Sequence, residues 1–265
     1  MESVEGLVKN PGWTSRVAQA MRGAGGMLLD LAYPPVCLNC DAPTSTPDVL
    51  CAICFKALRP ITAPLCPVMG LPFEVSLGPD LLSAEAIADP PPFGRARAAV
   101  LYNEVARTLV SRLKYGDRPE LARFCARLIA GAGHELWMGD PILVPIPLHP
   151  ARQRERRYNQ SGELAQALGK LTGLDVDADL VRRIRKTRQQ VGLSGDGRQR
   201  NVAGAFAVHP DMLVRSRGRR IVLVDDVYTT GATTKAVTRT LLKAGAEAVD
   251  VVSFARVVIG AELPI

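Results

Sequence analysis

The run Ile221-Val222-Leu223-Val224-Asp225-Asp226-Val227-Tyr228-Thr229-Thr230-Gly231-Ala232-Thr233-Thr234 leaves this chain few folds to choose from. Four branched apolar residues in succession read as a strand buried on both faces, the kind found inside a parallel sheet. Two carboxylates sit at its carboxyl end, followed by a tight turn of Thr, Thr and Gly. Ala232, Ala236, Val237, Thr240, Leu241 and Ala244 then recur at helical spacing. Gly245 suits a helix stop, and Ala248 to Phe254 reads as the next strand. The result is a β-α-β unit whose acids and small hydroxyl loop lie at the carboxyl edge of the sheet, where open α/β folds bind ligands.

The chemistry of that edge is set by its residue types. Amides at a helix start point outward without intrahelical partners, and the helix dipole favours an anion there. Gly231 permits close backbone approach, and Thr229, Thr230 and Thr233 offer hydroxyl donors, so the loop suits a phosphate. Asp225 and Asp226 would repel that phosphate and must face hydrogen-bond donors or positive charge; sugar hydroxyls or a Mg²⁺ ion meet that need. A Walker A loop is excluded, because Asp226 and Ala232 stand where its first Gly and its Lys belong. A dinucleotide fingerprint is excluded too, since Gly231 is the one glycine in the turn. An ordinary strand, turn and capped helix would account for the threonines but not for two adjacent acids at the end of a buried strand.

The apolar strand, Asp-Asp and Thr-Thr-Gly-Ala-Thr together resemble the phosphoribosyl pyrophosphate motif of type I phosphoribosyltransferases. That resemblance implies that Asp225 and Asp226, the candidate catalytic residues, hold the ribose hydroxyls. It also implies that Thr229, Thr230, Gly231, Ala232 and Thr233 hold the 5′-phosphate, with Mg²⁺ accompanying the ligand.

Two C-x-x-C pairs, Cys37/Cys40 and Cys51/Cys54, are separated by ten residues, Asp41 to Leu50. Each pair makes a knuckle and the spacer returns the chain, as a tetrahedral Zn²⁺ site requires. Disulfides do not suit a chain read as cytoplasmic, and Pro34-Pro35 ahead of Cys37 does not suit a redox motif opening a helix. Free buried cysteines are the other reading. The expected metal is structural zinc with no open coordination position. The cytoplasmic expectation rests on two features: Arg16 and Arg22 interrupt the apolar positions near the start, and no apolar run reaches eighteen residues.

The net charge is +7, with arginines concentrated in 152–157, 182–188 and 215–220. Such clusters suit a nucleic-acid track, a pyrophosphate cradle or simply a solvated face. For Arg154 and Arg157, two readings stay open: pyrophosphate contacts at the sheet edge, or pairing with Glu155 and solvent. His149, beside two prolines, reads as a loop residue.

In chain order, Thr14 to Leu31 reads as an amphipathic helix and 1–70 as a helix plus zinc module. The proline-rich stretch 71–95 reads as a linker and 96–265 as the main domain. Ala98–Tyr102 and Ile142–Ile146 read as strands, with helices over 104–114, 119–131 and from about 160 to 171. Leu180–Ile184 and Gly204–Val208 read as strands flanking a polar, Gly-rich loop, which suits either a flap over a ligand or a surface loop. Cys125 reads as core.

With these pieces assembled, the chain resembles the ComF family, a competence-associated group that joins a zinc ribbon to a phosphoribosyltransferase-like domain. The features are Pro34-Pro35-Val36-Cys37, the second cysteine pair, Phe93-Gly94-Arg95-Ala96-Arg97, Leu113-Lys114-Tyr115, Arg157-Tyr158-Asn159-Gln160, Asn201-Val202 with Gly204-Ala205-Phe206, and the acid and threonine motif. The resemblance implies an α/β fold with a mostly parallel sheet flanked by helices and a small N-terminal zinc module. It implies phosphoribosyl pyrophosphate, or a related phosphosugar nucleotide, as ligand. Its DNA-uptake context adds a second reading, in which the fold is a regulatory nucleotide-binding module that contacts single-stranded DNA and other DNA-uptake proteins. Family members often carry further Cys pairs for a second ribbon; here Cys66 stands alone with Met69 where its partner would be, so one zinc is expected.

Overall fold

The computed structural model describes residues 34–75, 78, 80–115, 119–149, 159–185 and 202–258. The helix expected at Thr14–Leu31, Arg154 and Arg157, and the loop over 186–201 lie outside them. The chain divides into two compact units, Met1–Cys51 and Ala52–Ile265.

In the first unit, a bridge joins Val36 to Pro43. The Cys37 amide donates to Ala42 O (2.7 Å) and the Asp41 amide to Cys37 O (3.1 Å). The turn closes through Asp41 at φ 60°.

The second unit opens with two short helices, α1 (Ala52–Ala57) and α2 (Ala84–Ala88). Next come β1 (Ala96–Leu101), α3 (Glu104–Tyr115), α4 (Pro119–Ala132) and β2 (Ile142–Pro145). After these come α5 (Gln160–Thr172), β3 (Val181–Arg183), β4 (Phe206–Val208) and α6 (Met212–Ser216). The chain continues through β5 (Ile221–Tyr228), α7 (Ala232–Lys243) and β6 (Val249–Arg256). The main sheet has the order β1-β6-β5-β2, every pair parallel, while β3 and β4 form a separate antiparallel pair.

Ile221 to Val224 are fully buried, as their composition requires of a strand with neighbours on both sides. β5 nevertheless runs four residues past them. The two sides of β5 differ in length: β2 pairs with it only as far as Val224, whereas β6 follows it to Tyr228. The Ile146 amide makes the last contact on the β2 side, to Val224 O (2.9 Å). Asp225 and Asp226 therefore lie inside a strand, at the point where one neighbour has ended and a gap opens at the carboxyl edge.

The described residues of the proline-rich stretch expected as a linker are folded. Leu71, Phe73, Ala86 and Phe93 join the core that holds Ile221, Leu223 and Tyr228. Ser83 caps α2 by accepting from the Ala86 amide (3.3 Å). Prolines punctuate this stretch without freeing it, because its apolar side chains have a core to enter. Cys125 is buried, as expected.

Candidate phosphosugar cleft and cysteine knuckle

The gap beyond β2 is a cleft of about 330 Å³, walled by Asp225, Asp226, Thr229, Gly231, Ala232 and Thr233, with Tyr102, Lys114, Ser161 and Arg183 around it. The two acids are held differently. Asp226 Oδ2 meets Lys114 Nζ at 2.8 Å, from the last turn of α3. Asp225 Oδ1 accepts from Ser161 Oγ (3.1 Å), in the first turn of α5, and from the Asp226 amide (2.9 Å). Burial raises the Asp225 carboxyl and the neighbouring charge of Asp226 raises it further. The Asp226 amide, the Ser161 hydroxyl and Lys114 pull the other way, and the outcome is about 7 against an ordinary 3.8. The acids thus face a cation and a hydroxyl, yet both still line the cleft.

Between β5 and α7 the loop turns on Gly231 at φ 69°. A Cβ there would lie 2.1 Å from the Tyr228 hydroxyl, so the conformation and the ring beneath it both require glycine. The helix ladder begins with the Lys235 amide donating to Gly231 O (2.7 Å), and the first turn of α7 lines the cleft through Ala232, Thr233 and Thr234. Thr234 Oγ1 donates to Gly231 O (2.9 Å) and braces the turn. Thr230 Oγ1 is buried with no hydrogen-bond partner among the described residues. A buried hydroxyl left without a partner costs about 1–3 kcal/mol, and an anion oxygen in the loop would satisfy it.

Of the sequence-derived site residues, Asp225, Asp226, Thr229, Gly231, Ala232 and Thr233 come together at the cleft, and Thr230 lies in the same loop. Arg154 and Arg157 are outside the described residues. Lys114, Ser161, Tyr228 and Arg183 were not singled out as site residues. Lys114 sits in a stretch already noted for its resemblance, and Ser161 directly follows another. Arg183 falls in the arginine cluster 182–188 noted from the sequence, and its guanidinium lies 5.3 Å from the Phe206 ring centroid.

The Sγ atoms of Cys37, Cys40, Cys51 and Cys54 all lie within 4.8 Å of one another. Amides of Asn39 and Cys51 donate to Cys37 Sγ at 3.4 and 3.2 Å. Burial raises the Cys37 thiol, but the amides of Cys40, Cys51 and Asn39 outweigh it and bring it down to about 6 from 9.0. Four converging sulfurs, one biased toward thiolate by backbone donors, fit a tetrahedral zinc ion.

Comparison with known proteins agrees with both halves. Residues 28–86 match the double zinc ribbon domain family and residues 161–264 the phosphoribosyl transferase domain family. The DNA utilization protein YhgH of Salmonella typhimurium is 33% identical over 228 residues, covering 83% of this chain and 96% of that protein. Competence protein F of Haemophilus influenzae is 34% identical over 165 residues, covering 58% of this chain and 69% of its own. The chain belongs to the ComF family. Competence protein ComFC of Bacillus subtilis is 27% identical to this ComF protein, over 83% of this chain and 93% of the relative. Among solved structures, a hypoxanthine phosphoribosyltransferase from Staphylococcus aureus matches 56% of this chain and 80% of its own, at 11% identity and a TM-score of 0.33. No helix among the described residues of this ComF protein is long and apolar enough to cross a membrane.

Proposed function

We propose that this ComF protein binds phosphoribosyl pyrophosphate in the cleft beyond β2, with Mg²⁺ on the ligand and one structural Zn²⁺ in the cysteine knuckle, and that it serves DNA utilisation or uptake. One observation carries the reading. The unpartnered Thr230 hydroxyl and the Gly231 turn share a loop beside two carboxylates that still face the cleft, so an anion subsite and a polyol subsite adjoin. The 5′-phosphate occupies the loop between Thr229 and Thr233, and the ribose hydroxyls donate to Asp225 and Asp226. Mg²⁺ bound with the ligand would supply neutralising charge for the pyrophosphate, while Asp225 and Asp226 would hold the sugar that carries it.

In a transfer reaction, a nucleophile forms the new bond to C1 as the C1–O bond to pyrophosphate breaks, and the electron pair leaves with pyrophosphate. Lys114 and Ser161 act earlier in that sequence by fixing the carboxylates that orient the ribose. Arg154 and Arg157 are the proposed partners of the leaving pyrophosphate, where charge develops. The acids position the sugar and no general base is assigned.

Calorimetry with phosphoribosyl pyrophosphate and Mg²⁺ tests this reading. Wild type is expected to bind, and the double variant Asp225→Asn/Asp226→Asn to bind at least tenfold more weakly, about 1.4 kcal/mol or more. Failure of wild type to bind would leave the cleft without its ligand; equal binding by the double variant would move the site elsewhere.

A further inference from the structure

The described residues of 64–89 repeat the cysteine knuckle with one cysteine in its four ligand places. In the first knuckle the Cys37 amide donates to Ala42 O, the Asp41 amide to Cys37 O and the Thr44 amide to Pro35 O. In the second, the Cys66 amide donates to Leu71 O (2.8 Å), the Gly70 amide to Cys66 O (2.8 Å) and the Phe73 amide to Pro64 O (2.8 Å). The bridge Val36–Pro43 has its counterpart in Leu65–Pro72, and the left-handed turn residue Asp41 in Gly70 at φ 62°. The returning segment matches as well. Just as the Cys51 amide donates to Cys37 Sγ, the Ser83 amide donates to Cys66 Sγ at 3.3 Å. Cys54 enters helix α1 as Ala86 enters α2.

The four ligand places are therefore filled by Cys66, Met69, Ser83 and Ala86. One thiolate, a thioether, a hydroxyl and a methyl group cannot close a tetrahedron around zinc. All four residues are buried instead, and Cys66, Met69 and Ala86 are part of the main core.

This packed knuckle is joined to the floor of the cleft by two polar links. Arg256, at the end of β6 and almost fully buried, donates to Met69 O and to Glu85 Oε2 (3.0 Å). Its guanidinium carbon lies 4.4 Å from the centroid of Tyr228, the ring on which Gly231 rests. Lys235, in the first turn of α7, is also buried and reaches Asp89 at 2.8 Å. Both buried cations depend on a carboxylate from the end of the knuckle, and a buried charge that loses its partner must shift or draw in water.

We propose that residues 64–89 are a second ribbon that holds no metal and acts as a positioning brace for the threonine loop, through Glu85–Arg256–Tyr228 and Asp89–Lys235. The brace rests on the phosphosugar reading only for its affinity readout; its structural readout stands without a ligand.

Zinc content tests the first half. About one zinc per chain is expected for wild type and for Cys66→Ala, and none for Cys37→Ala. Two zincs in wild type that fall to one in Cys66→Ala would overturn the claim. Amide exchange across 228–235 tests the second half, in the full zinc-loaded chain and at unchanged melting temperature. Exchange in Glu85→Ala is expected to be about tenfold faster than in wild type, with phosphoribosyl pyrophosphate affinity about tenfold weaker. Glu85→Gln, whose amide oxygen still accepts from Arg256, is expected to fall between the two. Should Glu85→Ala fold poorly, Asp89→Asn supplies the same comparison through Lys235. Unchanged exchange in a folded variant overturns the brace. Altered exchange with no ligand binding by wild type upholds the brace and rejects the phosphosugar reading.

Discussion

The two knuckles share three backbone hydrogen bonds at equivalent places and have opposite means of staying folded. The first brings four sulfurs within 4.8 Å of one another, two of them buried (Cys37 and Cys54), with Cys51 half-buried and Cys40 exposed. The second has one cysteine in its four ligand places and buries the residues in the others, with Met69 and Cys66 at 0% exposure. A metal supplies a small unit with free energy that its surface-to-volume ratio denies it. A segment packed onto a larger domain shares that domain's core and can dispense with the metal. The knuckle is thus a backbone solution first, and its contents depend on where it is placed.

The widest test of this contrast is zinc removal. Structural zinc in small ribbons is worth on the order of 10 kcal/mol. Chelation should therefore open 34–51 to proteolysis while the sheet and 64–89 stay folded. Simultaneous loss of both, monitored by limited proteolysis and thermal melting, would break the contrast.

A smaller effect is expected from Met69→Ala, which removes a fully buried side chain from the core shared with Tyr228. The cost is about 2–5 kcal/mol, read as a lower melting temperature of the second unit. Cys40→Ala, at the equivalent place in the first knuckle, should abolish zinc binding and leave that melting transition alone.

The third effect separates the cleft from both knuckles. Asp225 is raised from 3.8 to about 7. Between those values the folded protein holds a proton that the unfolded chain has released, so this group's contribution to stability falls as pH rises from about 4 to about 7. Asp225→Asn should remove that slope and stabilise the ligand-free protein near neutral pH, by up to about 4 kcal/mol. Binding of phosphoribosyl pyrophosphate, which needs the ionised acid, should strengthen in wild type as pH rises through about 7 and lose that dependence in the variant. Melting and calorimetry across about pH 5 to 8 check both signs. A pH-independent wild type would mean that Asp225 is not in contact with the ligand.

Much of this molecule could be read along the chain because its causes are local. A four-residue apolar run, Ile221 to Val224, specifies a doubly covered strand, and helical spacing specifies the helix after Gly231. Paired cysteines at short spacing specify a metal knuckle. Other features depend on residues far apart in sequence. Lys114 meets Asp226 from a distant part of the chain only because α3 and β5 end at the same edge. The 71–95 stretch read as a linker because its prolines are a local signal, whereas the core that receives Leu71, Ala86 and Phe93 is not.

Neighbouring residues alone were enough to specify the parallel strand, the threonine turn and the four-sulfur cluster, since the geometry of each is short-range. Packing between distant segments settled the rest: that β2 stops short of Asp225, that Arg256 lies against Tyr228, and that a cysteine-poor repeat is folded at all. Those outcomes depend on which surfaces meet, and burial strengthens or penalises a charge according to neighbours that the chain order does not reveal.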